Sequence, residues 1–283
     1  ERAGEVVETG DGVTEFSAGD RVCLFYLVTC GRCLMCTTGR DNYCPDAKML
    51  GKNIDGGFAE YLCVPARNLF KLPDEIPYTH GALLGDAVAT PFHALSRAGV
   101  KTGDNVLVIG IGGLGLHAIQ IARIMGAAQV IAADISPQKL ALAKKVGATA
   151  ALNPQNKDFT DRINAMTGKG VDVAIELIGL PQTIRTAIDL TGIGGKIVIV
   201  GICPEDVGIN PYHDLLLKEK TIMGSADQSR EDFPVIIDLA ARGRINLDHS
   251  VSHELSLEEI NRGLEMLRRK EDNPVRIMIT QEK

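Results

Sequence analysis

From Val106 the chain runs Val-Leu-Val-Ile without a polar residue, breaks into glycines, and resumes with apolar residues at helical spacing. The uninterrupted run suits a strand buried on both faces, as parallel strands are. Leu116, Ile119, Ile121, Ala122 and Met125 then mark one face of a helix, and Gly126 stands at its end, where left-handed backbone is often needed. The alternation continues: "QVIAAD" reads as a strand, "PQKLALAKKVGA" as an amphipathic helix closed by Gly147, "GVDVAIELIG" as a strand, "PQTIRTAIDLT" as a helix and "GGKIVIVGI" as another strand. Strands alternating with helices predict right-handed crossovers and a doubly wound parallel sheet.

The flanks have a different texture. Residues 1–89 carry short alternating runs such as "DRVCLFYLV" and "FAEYLCVPA", with turn signals every eight to twelve residues, a β-rich and barrel-like pattern. After Gly224 come a helix in "EDFPVIIDLAARGRI", an extended piece in "DHSVSHELSL", a second helix in "LEEINRGLEMLRRK" and a last strand in "VRIMIT". We therefore expect a β-rich domain over 1–89, an α/β nucleotide domain over 90–222, and a return to the first domain over 223–283. A chain of 283 residues exceeds most single cores, which agrees with two domains.

Composition narrows the function. The chain is 45% hydrophobic and 23% charged, as soluble globular proteins are. Its net charge of -6, with no Trp and few other aromatics, argues against a nucleic-acid partner or an anionic membrane. No apolar run reaches the length of a membrane span. The opening "ERAGEVVETG" has no initiator Met and no leader-like pattern, and reads as the middle of a longer sequence.

Of seven cysteines, Cys30, Cys33, Cys36 and Cys44 form a C-x2-C-x2-C-x7-C lobe over 30–44. Disulfides between cysteines three apart are strained. Four thiolates on a tight loop turned by Gly31 and Gly39 suit a closed tetrahedral zinc site. Iron–sulfur ligation is the rival reading, although its usual C-x3-C-P continuation is missing. A closed four-thiolate site has no open position, so it staples the loop and does not catalyse. Cysteinyl ligands also imply a reducing compartment, with the cytoplasm as the expectation. Cys23, Cys63 and Cys203 sit in apolar strand-like runs and read as buried small hydrophobes.

The glycine break is Gly110-x-Gly112-Gly113-Leu114-Gly115. With a strand before it, a helix after it and Asp134 nineteen residues past Gly115 at the end of the next strand, it completes a βαβ dinucleotide fingerprint. Its glycines admit the pyrophosphate, which the helix N-terminus attracts. Asp134 can accept both adenosine ribose hydroxyls, and no Arg follows to hold a 2′-phosphate, so NAD is favoured over NADP. Ligands in such sheets sit at the carboxyl ends of the strands. That places Ile178, Gly179, Gly201 and Ile202 near the nicotinamide.

The cysteine lobe and the fingerprint in this order, with "ERAGEVVETGDGV", "GDRV" and "GGFAEY", resemble the zinc-dependent medium-chain alcohol dehydrogenases over essentially the whole chain. The resemblance implies a Rossmann doubly wound sheet plus a GroES-like domain, N-terminally incomplete by about sixty residues relative to the family pattern. It implies hydride transfer between an alcohol or polyol and NAD, a structural zinc, and a second, catalytic zinc. Asp86 in "LLGDAVATPFHAL" matches the third catalytic ligand, and Glu1 the Glu that follows the second and that in some members also approaches the metal, so Asp86 and Glu1 are the expected catalytic-zinc residues of this chain. The matches to the first two ligands fall before Glu1, so we expect a longer parent protein, with the chain as given lacking two catalytic zinc ligands and expected to be inactive by itself. The resemblance also places Thr90 at the nicotinamide, Lys139 at the adenosine ribose, Arg276 in "NPVRIMIT" at the pyrophosphate, and Arg230 as a weaker candidate there. A homodimer or homotetramer acting on a small alcohol or ketone is implied. The alternative is a catalytically inactive NAD-binding relative that keeps only the structural zinc.

Other titratable residues suggest ordinary roles. Asp86 by itself could simply cap the helix that follows it. His93 lies in a predicted helix, and His249 and His253 lie on an extended piece where a four-residue spacing does not converge on a metal. His213-Asp214 has no nucleophile elbow to serve.

Overall fold

A computed structural model describes residues 1–272 and 274–281. The chain forms two compact units, Glu1–Ala89 with Asp227–Lys283, and Thr90–Ala226.

In the first unit, strands β1 (Ala3–Glu5), β2 (Arg21–Leu24) and β5 (Leu69–Lys71) make an antiparallel sheet in the order β1-β2-β5. Strands β3 (Leu27–Val28) and β4 (Lys48–Met49) pair beside the cysteine loop. The helix Tyr78–Leu83 runs into a π-helical turn, Leu84–Val88.

The second unit holds a six-stranded parallel sheet. Its strands are β6 (Asn105–Ile109), β7 (Gln129–Ala133), β8 (Ala150–Leu152), β9 (Val171–Glu176), β10 (Thr191–Ile199) and β11 (Thr221–Gly224). Their order is β11-β10-β9-β6-β7-β8. The chain moves outward from β6 to β8, then reverses at β9, so the switch point lies between β6 and β9, where dinucleotides bind in such sheets. Leu107, Ile131, Ala174 and Ile197 from the central strands pack with Ile163, Ile184 and Ile188 of the covering helices in a fully buried core. β11 belongs to this sheet, so the unit extends past residue 222 to Ala226. A strand signal of four residues is too short to be assigned to a sheet by its pattern alone.

The last segment returns to the first unit through the helix Asp232–Ala241, the helix Ile260–Arg269, and the parallel pair β12 (His253–Ser256) and β13 (Ile277–Thr280). An aromatic cluster accounts for the return. Phe233 of the returning helix stacks on Phe70 of β5 with ring centroids 4.5 Å apart, and meets Phe25 edge-on at 5.7 Å. Phe25 and Phe233 are fully buried. Burial of two such rings stabilises the unit by several kcal/mol, roughly 1.5–3 each.

Two sequence readings need correction. "FAEYLCVPA" forms no strand, and Phe58, Tyr61 and Cys63 are exposed. No neighbouring strand among the described residues pairs with this segment, so its alternation has no sheet face to bury. Of the three isolated cysteines only Cys23 is fully buried, and Cys203 is half-buried.

Candidate active site and metal centre

The cysteine lobe is built by two short helical turns, Leu34–Thr37 and Asp41–Tyr43. Gly31 and Gly39 take φ of 74° and 71°, which lets the loop close on itself. The four sulfurs of Cys30, Cys33, Cys36 and Cys44 lie within 4.8 Å of one another. Cys33 Sγ is 3.5 Å from Cys36 Sγ, and Cys30 Sγ is 4.0 Å from it. With Zn–S bonds of about 2.3 Å, a tetrahedron has sulfur–sulfur edges of about 3.8 Å, so the set fits a four-coordinate thiophilic ion. Backbone N–H groups of Arg32 and Cys33 aim at Cys30 Sγ and pull its thiol down to about 6, favouring the thiolate a metal needs. Burial pushes Cys44 up to about 11, a cost that a bound cation would offset. None of the seven cysteines forms a disulfide.

The lobe is anchored through charge. Asp41 is 2% exposed and accepts from Arg67 at 3.1 Å. Arg67 also donates to the Thr29 carbonyl at 2.8 Å, and its own carbonyl accepts from Arg230 Nε at 2.8 Å. The Arg230 guanidinium lies over Phe70, 5.1 Å from the ring centroid. Arg230 is thus occupied inside the first unit.

Asp86 stands in the π-turn Leu84–Val88. Around it the first unit gathers Glu1, Arg276, Tyr26 and Asp227. Glu1 accepts from the Ala87 N–H at 2.8 Å and is ion-paired with Arg276. Burial pushes the Glu1 carboxyl above its usual range, against the pull of the Arg276 guanidinium, and the Asp86 charge adds to the upward push. Tyr26 donates its hydroxyl to Asp227. Burial, then the negative charge of Asp86, holds the Tyr26 phenol neutral far above its ordinary range. Asp86 is a half-buried carboxylate, a donor type suited to zinc; both Glu1 oxygens are bonded within the protein. Among the described residues the cysteine lobe is the group of three or more ligand-type side chains close enough to share one ion.

In the second unit the fingerprint loop has the expected shape. Gly110 takes φ of 95°, and a Cβ there would lie 2.6 Å from Ile178. A Cβ on Gly115 would lie 2.1 Å from the Gly110 carbonyl, so this glycine lets the helix start against the strand. A Cβ on Gly112 would meet nothing, so the loop is open on the side where a pyrophosphate would lie. The helix Gly115–Ile124 starts with no side-chain cap on Leu114, leaving its first turn available to an anion; Gly113 lies in the turn that leads to it. Asp134 is 8% exposed and accepts from Ile111 N at 2.8 Å and Ser136 N at 2.9 Å. A carboxylate has about four acceptor positions, so two are left for ribose hydroxyls. Lys139 Nζ lies 4.0 Å from Asp134 Oδ2.

At the carboxyl ends of β9 and β10, Gly179 takes φ of 83°, and a Cβ there would lie 2.3 Å from the Ile202 carbonyl. A Cβ on Gly201 would lie 2.1 Å from Gly179 N. The residue that ties this corner is Glu176, which no motif in the sequence singles out. It is fully buried and accepts from Ile178 N, Gly179 N and Thr183 Oγ1, at 2.8–3.1 Å. An acidic residue ending an apolar strand was the available signal. Ile178 and Ile202 are exposed, at 43% and 92%, and Thr90 is buried near the start of the helix Ala89–Ala98. Arg276 lies in the first unit on Glu1, and the motif that marked it begins at Asn273, outside the described residues.

The remaining candidates take structural roles. Asp214 binds Arg185 at 2.6 Å, and His253 pairs within the β12–β13 ladder. Tyr26, Asp227 and Gln228 had no sequence signal, because they join the Asp86 turn only through tertiary packing.

A four-thiolate metal lobe in one unit and a dinucleotide fingerprint in the other define a metal-dependent dehydrogenase of the two-domain kind. The alcohol dehydrogenase GroES-like domain profile matches residues 1–74, and the zinc-binding dehydrogenase profile matches residues 113–242. L-threonine 3-dehydrogenase of Bacillus licheniformis is 34% identical over 95% of this chain and 78% of its own length. Sorbitol dehydrogenase of Bacillus subtilis is 32% identical over 99% of this chain and 79% of its own. A solved structure described as a zinc-binding dehydrogenase of Sinorhizobium meliloti bound to NADP superposes with a TM-score of 0.86 at 36% identity, covering 92% of this chain and 77% of that one. The chain belongs to the zinc-dependent medium-chain dehydrogenase/reductase family. No helix among the described residues is long and apolar enough to cross a membrane.

Proposed function

We propose that this protein transfers a hydride from a secondary alcohol or polyol to NAD, with Asp86 as a ligand of the catalytic zinc and the cysteine lobe as a structural zinc site. The observation that carries the reading is Asp86 on a π-turn, half-buried and held beside Glu1, Arg276 and Tyr26, in a chain that also carries a complete dinucleotide fingerprint. Zinc at Asp86 would supply Lewis acidity that lowers the pKa of the alcohol oxygen, and the nicotinamide would supply the hydride acceptor.

This chain's residues do the rest. The Gly110–Gly115 loop and the helix it opens bind the pyrophosphate. Asp134 takes the adenosine ribose, with Lys139 beside it. Glu176 fixes the Ile178–Gly179 corner against Gly201, which positions the nicotinamide end, and exposed Ile178 and Ile202 offer it apolar surface. Glu1 holds the Ala87 amide and Arg276, steadying the Asp86 turn. Asp134 would repel a 2′-phosphate, which favours NAD although one relative was solved with NADP. The likeness to an L-threonine 3-dehydrogenase and a sorbitol dehydrogenase supports a small alcohol or polyol as the substrate.

The test is zinc per chain after exhaustive dialysis, paired with nicotinamide reduction by a panel of secondary alcohols and polyols. Residues 1–283 alone should hold the one zinc of the cysteine lobe; two zincs per chain and alcohol-dependent NAD reduction are expected of the longer parent that carries the other two catalytic ligands. One zinc and no turnover in that parent would overturn the catalytic reading and leave a nucleotide-binding protein with a structural zinc.

A further inference from the structure

A π-helical turn departs from the i→i+4 ladder, so its backbone groups depend on partners outside the helix. At Leu84–Val88 those partners can be named. The Ala87 N–H donates to Glu1 Oε1 at 2.8 Å. The Gly85 carbonyl accepts from Gln228 Nε2 at 2.7 Å. The two bonds bracket Asp86, one residue to either side. Gly85 itself has little freedom, because a Cβ there would sit 2.9 Å from the Leu24 carbonyl.

Gln228 comes from 143 positions away and is fully buried. Its neighbours explain how it is kept there. Asp227 takes φ of 52°, uncommon for a residue with a Cβ, and accepts from Tyr26. Ser229 N and Oγ donate to Asp232 Oδ2 at 2.8 and 3.1 Å, tying the segment to the first residue of the helix that carries Phe233. Arg230 reaches the Arg67 carbonyl, and so the base of the cysteine lobe. Each residue from Asp227 to Arg230 is therefore fixed by its own partner, and the Gln228 amide is presented to Gly85 by a braced segment. A buried amide in such a place is costly unless bonded, and a buried carbonyl left without its donor costs about 1–3 kcal/mol.

We infer that Gln228 is a positioning residue for Asp86: its amide holds the Gly85 carbonyl so that the turn keeps its π geometry and the Asp86 carboxylate its place. The role of the Asp86 carboxylate rests on the ligand reading proposed above; the hold on the turn does not. Glu1 and Gln228 divide the task, one on the N–H side and one on the C=O side. Removing the amide donor frees the turn to rewind toward the α-helical register of the helices on both sides, which re-aims residue 86.

Gln228→Met tests this in the longer parent that carries all three catalytic ligands, because Met keeps the length and bulk and lacks the donor. Amide exchange is read at Ala87 without cofactor, and cobalt binding is read by absorption, which separates a tetrathiolate site from a site with oxygen ligands. The expected result is at least tenfold faster exchange at Ala87, unchanged protection in β6, β7 and β9, an unchanged tetrathiolate spectrum, and about tenfold weaker uptake of the second cobalt. Gln228→Glu is the rescue. Its protonated carboxyl can donate to Gly85, so Ala87 protection should recover at about pH 5 and be lost at about pH 8. Unchanged Ala87 exchange in Gln228→Met overturns the inference. So does a uniform rise across the first unit, which marks a merely structural side chain. If the unsubstituted parent takes up one cobalt only, the ligand reading of Asp86 fails, and Ala87 exchange still decides whether Gln228 holds the turn.

Discussion

Gly115 shows how one missing side chain can decide how closely a helix starts against a strand. A Cβ there would lie 2.1 Å from the Gly110 carbonyl, a backbone atom that cannot swing aside. Gly115→Ala must push the helix start away from β6, and such overpacking costs about 1–3 kcal/mol. The strain falls where the pyrophosphate would lie, so we expect NAD affinity to drop at least tenfold by calorimetry, with circular dichroism nearly unchanged. Gly112→Ala is the control for backbone strain, since its Cβ would meet no protein atom; its loss should come only from the ligand side. Gly115 was legible in the sequence because the reason for it is local, a strand, a turn and a helix within one stretch. Glu176 was half-legible, an acid at the end of an apolar strand. Gln228 was not legible at all, since its partner lies 143 residues away and a buried Gln looks like any other in a polar string.

At the scale of elements, the parallel sheet was readable because buried strands and amphipathic helices differ in period, and four of its six strands, β6, β7, β9 and β10, were read from that contrast, while the three-residue β8 was not. β11 was read past, which set the domain boundary four residues early. The π-turn could not be read, because its sequence is that of an ordinary apolar helix and only its external partners give it away. The short element Pro211–Leu215 yields a pH prediction. Asp214 within it is bonded by Arg185 of the helix Pro181–Leu190 and by the Asn210 N–H, which hold its carboxyl down at about 2 against an ordinary 3.8. The unfolded chain takes up this proton more readily than the folded one. The contact therefore stabilises the fold above about pH 4, and its contribution disappears as the pH falls toward 2. Asp214→Asn should lower urea stability by a constant amount between about pH 5 and 8. The two proteins should converge below pH 4. A difference that persists to about pH 2 would show that packing, and not ionisation, fixes this element.

For the whole molecule, the first unit is assembled from the two ends of the chain, and the cysteine lobe is one of the places where those ends meet. Arg67 of the leading part holds Asp41 of the lobe, and Arg230 of the returning part holds Arg67. Four thiolates brought this close without a cation repel one another, so metal removal should loosen the lobe first and then the groups that lean on it. Chelation should therefore raise amide exchange across residues 27–50 and pass through Arg67 to residues 227–232. The helix of Phe233 should follow, because it begins at Asp232 where that segment ends. Binding energy at closed zinc sites is large, about 10–16 kcal/mol in small zinc peptides. Even a fraction of it in this unit should move its thermal midpoint by at least about 5 °C. The protected amides of β6, β7 and β9 supply the internal control. Arg67→Ala separates the cause. It leaves the four cysteines and the carbonyl that Arg230 holds in place and cuts the side-chain bonds to Asp41 and Thr29, so the lobe should still take up one zinc, while chelation should no longer speed exchange at residues 227–232. If chelation speeds exchange in the lobe and leaves 227–232 untouched, the returning segment stands on the Phe25–Phe70–Phe233 cluster alone, and the zinc serves only its own loop.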